Sequence, residues 1–429
     1  MCSLDERVET ARMLFLHCKT FGRAIHHQSH TCETPSKIAL TRQPLRPYGW
    51  CCDSSAPHPY ACHMERAAMQ TATRPLGRGE RAPDFVLACQ DGRPTRFYAQ
   101  AGGRPAVLLF YDAEDVDELL RFAEALTDGA DSAVSFFAVQ RGNPAMPPQV
   151  FPGRTSHFLV FADPQGTVRT AYRPGATDTP SLFVLDPNLR VLASLVLQEP
   201  RATAHKVLAL LDACLPPIAP LVITTQAPVL LIPYALDQEF CQSLIHVWET
   251  QGNVATGVEQ SRGARREATL SPDRKRRHDH TVRDAQLLRS LASTIGRRVM
   301  PEVSKAFAFR ATRFEGFKIA CYDAATGGFF RAHRDNLSPA TAHRRFALSL
   351  NLNAGYEGGY LRFPEYGPHL YRPETGGAIV FACSHLHEVT EVSQGRRFVL
   401  LSFLFGEGDS RPFRALAKDS APPQPPSSR

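Results

Sequence analysis

The sequence predicts two folded domains in series: an α/β layer, then a β-barrel or jelly roll with helices packed on it. Three observations carry that prediction. The chain has 429 residues, too many for one ordinary core. From about residue 78 to 214, short apolar runs alternate with helical spacings, the pattern of a central sheet covered by helices. From about residue 229, one strand and two helices give way to a succession of short strands, which suits a rolled antiparallel sheet.

Residues 1–75 show no sustained periodicity and are rich in His, Cys, Arg, Pro and Ser, so a disordered extension is expected there. Cys51-Cys52 and the histidines around them match no zinc-finger spacing. The first domain is expected over 76–215. Ala106–Tyr111 is a fully apolar run of strand length, and 117–125 has the spacing of a helix. Strands are expected at 134–139 and 157–161. Ser181–Leu185 follows Thr179-Pro180 and ends in the turn Asp186-Pro187-Asn188. Residues 204–215 read as a closing amphipathic helix. Pro216 and Pro217 stiffen a linker over 216–221.

The second domain is expected over 222–407. It opens with a strand at 229–232 and a helix capped by Asp237, with Phe240, Leu244, Ile245 and Trp248 on one face. Residues 252–283 are polar and irregular in pattern, and a second helix is expected over 284–305. Strands then recur at 317–322, 329–334, 346–352, 360–363, 378–383, 387–392 and 398–405. The Pro- and Ser-rich end, 408–429, reads as a mobile tail.

Composition narrows the function classes. Hydrophobic content of 43% with 21% charged residues suits a soluble globular protein. No apolar run approaches the ~20 residues of a membrane span. Met13-Leu14-Phe15-Leu16 is too short for a secretory core, so the default location is the cytoplasm. A net charge of +7 is modest at this length. Arg274-Lys275-Arg276-Arg277 is one short run without aromatic interleaving, which favours a solvated loop over a nucleic-acid surface. Of eleven cysteines, six precede the first domain and the rest stand singly, with no CxxC pair, so no disulfide framework is expected.

The chemistry is concentrated in His333-x-Asp335, His387 and Arg397. Two imidazoles and one carboxylate on one face of a metal leave the opposite positions open, the geometry of Fe(II) sites that activate O₂. A His-x-acid tripeptide alone is weak, since sixteen histidines produce one by accident, as in His63-Met64-Glu65. His333-Arg334-Asp335 differs because it ends a strand-like run, where alternation sets both ligands on one face. His385 competes with His387, and Arg396 with Arg397. His278-Asp279-His280 has the composition of a metal site but no third ligand. His343 and His369 read as loop or surface residues.

Residues 322–336 carry Gly327-Gly328-Phe329-Phe330 ahead of His333-Arg334-Asp335. Asn351-Leu352-Asn353, Tyr356-Glu357-Gly358-Gly359-Tyr360-Leu361-Arg362-Phe363 and Leu386-His387-Glu388-Val389-Thr390-Glu391-Val392 follow, then Gly395-Arg396-Arg397. Over roughly 220–407 this series resembles the prolyl 4-hydroxylase-like branch of the Fe(II)/2-oxoglutarate-dependent oxygenases. The resemblance implies a double-stranded β-helix, with His333, Asp335 and His387 as iron ligands. Arg397 would pair with the C5 carboxylate of 2-oxoglutarate, as a planar fork suits, and Tyr322 would donate to the same co-substrate. It implies a dioxygenase that hydroxylates a substrate, a protein prolyl residue or a small molecule, and releases succinate and CO₂. Ascorbate would serve as reductant. The retained Asp335 implies oxygen insertion, since related halogenases carry a small residue there. Residues 252–283 would form the lid over the substrate, and Arg274 and Arg277 would point to an acidic or phosphorylated partner.

Arg81-Ala82-Pro83-Asp84-Phe85, the strand ending Phe110-Tyr111, and Thr179-Pro180-Ser181 resemble the redoxin, peroxiredoxin-like branch of the thioredoxin fold. A peroxiredoxin presents Thr-x-x-Cys after that strand. This chain has Asp112-Ala113-Glu114-Asp115-Val116-Asp117, acidic and without a thiol. Cys89 lies in the preceding hairpin. The expectation is a redoxin-shaped scaffold without peroxidase chemistry, for binding or homodimerisation. A chain with both domains catalytically retired is the alternative, and the complete set of four site residues speaks against it.

Overall fold

A computed structural model describes residues 74–89, 91–129, 134–142, 158–172, 180–215, 219–262 and 265–410. The expectations for the first 73 residues, for the Thr179-Pro180 bond and for the chain after 410 lie outside the described residues.

The first domain is a seven-stranded sheet with helices on both faces. In chain order its elements are β1 (Val86–Cys89), β2 (Pro94–Arg96), α1 (Phe97–Gln100), β3 (Ala106–Tyr111), α2 (Val116–Gly129), β4 (Ser135–Arg141), β5 (Phe158–Asp163), α3 (Thr167–Tyr172), β6 (Ser181–Leu185), β7 (Val191–Val196) and α4 (Pro200–Cys214). The strand order is β2-β1-β5-β4-β3-β6-β7, with β3, β4 and β5 parallel and the outer pairs antiparallel. All six residues of β3 are buried, which marks a strand covered on both sides. Alternation along it feeds two cores. Val107, Leu109 and Tyr111 meet Leu119 and Phe122 of α2 and Val207 and Leu211 of α4. Ala106, Leu108 and Phe110 meet Phe97, Tyr172 and Phe183 on the other face. This is the α/β layer that the alternating pattern predicts, with the thioredoxin-like arrangement that the redoxin resemblance implies.

The second domain is a double-stranded β-helix. Its elements are β8 (Val229–Ile232), α5 (Gln238–Thr250), β9 (Val254–Ala255), β10 (Val258–Arg262), β11 (Arg265–Thr269), β12 (Lys275–Arg276), β13 (His278–Thr281), α6 (Ala285–Arg298), α7 (Met300–Phe307), β14 (Arg313–Phe314), β15 (Lys318–Asp323), β16 (Phe329–His333), β17 (Phe346–Asn351), β18 (Glu357–Gly358), β19 (Leu361–Arg362), β20 (Leu370–Tyr371), β21 (Ala378–Ala382), β22 (His387–Val389), β23 (Val392–Gln394) and β24 (Arg396–Phe405). One large sheet runs β8-β21-β17-β24-β15-β13-β9, with β14 also on β24, and a smaller one runs β12-β16-β22-β19-β20. Ile319 and Cys321 of β15, with Phe398 and Leu400 of β24, pack against Leu244, Leu291, Ile295 and Val303 of the helices. The residues between them, Ala320, Tyr322 and Val399, join Leu361, Phe363 and Val389 of the small sheet. The same period of two therefore sends Tyr322 and Arg397 to the space between the sheets.

Three local expectations need correction. The stretch 252–283 is not irregular: it holds β9 to β13, and β13 pairs with β15. Its polar character hides the strands because Arg277 and Asp279 face inward and neutralise each other. The helix expected over 284–305 is two helices, with Val299 as the shared junction and Pro301 at the start of α7. Proline has no N–H to give to the preceding turn and clashes with it, so the helix breaks there. Finally, Glu407–Ser410 is a 3-10 turn, and Asp409 binds Arg345 at 2.5 Å, so chain order extends past the expected start of the tail.

The two domains share one compact unit. Glu302 of α7 is 3% exposed and accepts 2.8 Å hydrogen bonds from Nε and Nη2 of Arg81. Asn188 Nδ2 donates to the same carboxylate at 2.7 Å, and Arg297 Nε reaches Glu80 at 2.9 Å. The arginine that opens the redoxin motif is thus spent on the neighbouring domain. Glu302→Ala would leave the Arg81 guanidinium poorly solvated and without its carboxylate, which should cost about 3 kcal/mol. Equilibrium urea unfolding reads this. An unchanged midpoint would mean the domains do not depend on the contact.

Candidate metal and co-substrate site

β16 ends at His333, and the chain turns so that Asp335 N donates to Cys383 O at 2.9 Å while Arg344 Nη1 donates to Asp335 O at 3.3 Å. These two bonds to the Asp335 backbone fix the carboxylate opposite β22, where His387 pairs in register with His333. Asp335 Oδ1 lies 3.5 Å from His333 Nε2, and Oδ2 lies 3.4 Å from His387 Nε2. One ligand atom from each of the three lies within 4.8 Å of the others, and theirs is the cluster of this kind found among the described residues.

The tautomers follow from the neighbours. His333 Nδ1 is 2.8 Å from Arg331 O, and His387 Nδ1 is 3.0 Å from His385 O. A carbonyl only accepts, so each Nδ1 donates to the chain and each Nε2 is the ring atom that faces Asp335. Burial pushes the His387 imidazole down to about 4, against the opposing pull of Asp335, so the ring is neutral at neutral pH. Burial works to raise the Asp335 carboxyl, but His387 and His333 outweigh it and hold it down at about 2. Neutral imidazoles and an ionised carboxylate are the forms that ligate a metal. The donor set fits a ferrous ion with open positions.

The triad lines a cavity of about 870 Å³ that also receives Tyr322, Arg277 and Arg397. Arg397 is 3% exposed, its Nε has no partner, and its guanidinium carbon lies 5.3 Å from the Tyr322 ring centre. A buried guanidinium with an unmet donor suits an incoming carboxylate. Its backbone neighbours make room for it. Gly358 and Gly359 have φ of +76° and +61°, and a Cβ on Gly359 would come within 2.9 Å of Arg397 Cδ.

The competing residues lie elsewhere. His385 precedes β22 in a turn and packs edge-on against Tyr366. Arg396 points outward to Glu249 at 3.0 Å. Asp279, central to His278-Asp279-His280, is taken by Arg277. His343 binds Glu315 at 2.7 Å, and His369 is exposed. Arg277 itself is a correction: it is 9% exposed and bound to Asp279, so it is no lid cation for an acidic partner. Arg274 stays exposed at the cavity wall. Sequence reasoning also missed Arg344, which holds the turn carrying Asp335. The alternation Arg277-x-Asp279 was the one available signal that those two share a face.

In the first domain, the acidic turn after β3 is closed on itself. Asp112 and Asp115 form a reciprocal capping box, and Arg169 Nη1 donates to the Asp112 carboxylate at 3.2 Å. Cys89 is 4% exposed, and burial pushes its thiol up. The full-length protein with a dithiol reductant is expected to consume hydrogen peroxide at the background rate, which a peroxide assay checks. Rapid consumption would reveal a competent thiol.

Residues 317–405 match the model of the 2OG-Fe(II) oxygenase superfamily, and residues 78–194 that of the AhpC/TSA family. No curated protein matches the chain. Among solved structures, a Pseudomonas putida prolyl-4-hydroxylase is 18% identical, covering 43% of this chain and 95% of its own, with a TM-score of 0.32. The peroxidoxin BcpB of Mycobacterium tuberculosis is 24% identical, covering 32% of this chain and 98% of its own, with a TM-score of 0.28.

Proposed function

Since residues 317–405 match the model of the 2OG-Fe(II) oxygenase superfamily, we propose that this protein couples oxidative decarboxylation of 2-oxoglutarate to hydroxylation of an organic substrate. One oxygen atom of O₂ enters succinate, released with CO₂, and the other enters the substrate C–H bond as hydroxyl. His333, Asp335 and His387 would hold Fe(II), which supplies the activation of O₂ when bound. Arg397 pairs with the distal carboxylate of 2-oxoglutarate, and Tyr322 donates to it.

The observation that carries this reading is the convergence of two unlike sites in one cavity: a three-ligand facial set, and a buried guanidinium with an unmet donor. The enclosing walls orient the substrate and keep water from the reacting atoms. At about 870 Å³ the cavity has room for a prolyl side chain of a protein or for a small molecule beside the co-substrate. Ascorbate sustains turnover by keeping the iron ferrous. A cytoplasmic location accompanies this reading, because Cys89, Cys214, Cys241, Cys321 and Cys383 are free thiols. Among the described residues, no helix is long and apolar enough to cross a membrane. The redoxin-like domain serves as platform and homodimer contact, which light scattering would read.

The test is succinate release from 2-oxoglutarate by the full-length protein with Fe(II), ascorbate and air. Production above a metal-free control supports the reading. Iron binding with no succinate, across prolyl peptides and small metabolites, would favour a binding protein instead.

A further inference from the structure

Tyr322 is 2% exposed, and its hydroxyl lies 3.2 Å from Nη1 of Arg277. A guanidinium has five N–H donors and no acceptor, so the phenol oxygen must accept in this bond. The phenol proton is then turned away from Arg277. Among the described residues no acceptor takes it, and the other cation beside the ring, Arg397, is also a pure donor. The proton needs an acceptor from the cavity that both residues line.

Arg277 cannot swing away to release this arrangement. Its Nε and Nη2 donate to both oxygens of Asp279 at 2.6 and 2.7 Å, and Asp279 is 2% exposed. Asp279 in turn is fixed by strand pairing, opposite Ala320 and two residues along from the register position beside Tyr322. The guanidinium lies 5.7 Å from the Tyr322 ring centre and 5.9 Å from that of Phe330, which limits its movement further.

We propose that Arg277, held by Asp279, is a positioning residue that makes Tyr322 an obligate donor toward the distal carboxylate of 2-oxoglutarate. This inference rests on the function proposed above. Arg277 is the partner of the phenol oxygen and of Asp279. It acts through the phenol, fixing the proton toward the cavity so that no reorientation accompanies binding. The charged run containing Arg277 is therefore part of the co-substrate pocket's support.

A double-mutant cycle tests this on the full-length, Mn(II)-loaded protein, with calorimetric titration of 2-oxoglutarate. Arg277→Lys keeps a charge for Asp279 but loses the fork that reaches Tyr322. It and Tyr322→Phe should each weaken 2-oxoglutarate binding about tenfold, as the loss of one oriented hydrogen bond implies. The double variant should bind no more weakly than Tyr322→Phe alone, because the two act as one unit. Mn(II) affinity of Arg277→Lys should equal the parent's. If Arg277→Lys does not fold, Arg277→Met with Asp279→Leu removes both buried charges together and carries the same test. Parent-like 2-oxoglutarate affinity in these Arg277 variants, or losses that multiply to about a hundredfold in the double variant, would overturn the inference. Absence of 2-oxoglutarate binding by the parent would overturn the functional reading and this inference with it.

Discussion

Asp335→Ala is expected to abolish 2-oxoglutarate turnover and to weaken Fe(II) or Mn(II) binding by more than about a hundredfold. Loss of an outer-shell partner alone costs about ten- to a hundredfold in metal affinity, and Asp335 is placed as a direct ligand. Among the described residues it is also the anion that meets both imidazoles, lying 3.5 Å from His333 Nε2 and 3.4 Å from His387 Nε2. The change is a clean one. The bonds that shape the turn, from Asp335 N to Cys383 O and from Arg344 Nη1 to Asp335 O, use only the backbone atoms of residue 335 and persist in alanine. The folded structure should therefore survive while the ligand is lost. Metal titration with circular dichroism as the folding control checks this. Turnover at the parent rate would remove Asp335 from the site.

Arg397→Gln should raise the KM for 2-oxoglutarate by roughly thirtyfold to a few thousandfold, the range for removing one partner of a buried charge pair. Metal affinity should not change, since Arg397 stands on β24, away from the two strands that carry the imidazoles. Arg397→Lys should recover only part of the loss, because an ammonium keeps the charge but not the two parallel donors. Steady-state kinetics with varied 2-oxoglutarate separates these outcomes. A change in kcat with unaltered KM would place Arg397 in some other role.

Much of the architecture could be read from local pattern. Ala106–Tyr111 is apolar at every position and is the strand covered on both faces. Asp237 does stand at the N-cap of α5, but its carboxylate binds Arg298 instead of the helix amides; the side-chain cap is made at α6, where Asp284 accepts from Leu287 N at 2.6 Å. The ordered motifs around His333, Asp335 and His387 located a cluster that the fold brings together. One error fell where charge masked a strand, another where Pro301 splits the expected helix. Arg277 and Asp279 look like loop residues until β13 pairs with β15 and turns both inward.

By itself, the sequence determined the two domain types, most of the strands and the segments that carry His333, Asp335 and His387, because these depend on spacing within one stretch of chain. Tertiary structure decided between neighbours that spacing cannot separate: Arg397 faces the cavity while Arg396 reaches Glu249. It also decided that Arg277 meets Tyr322 across 45 residues of chain. Whether a charged side chain on a strand is buried depends on which strand and which sheet come to lie against it, and that is fixed only when the whole domain closes.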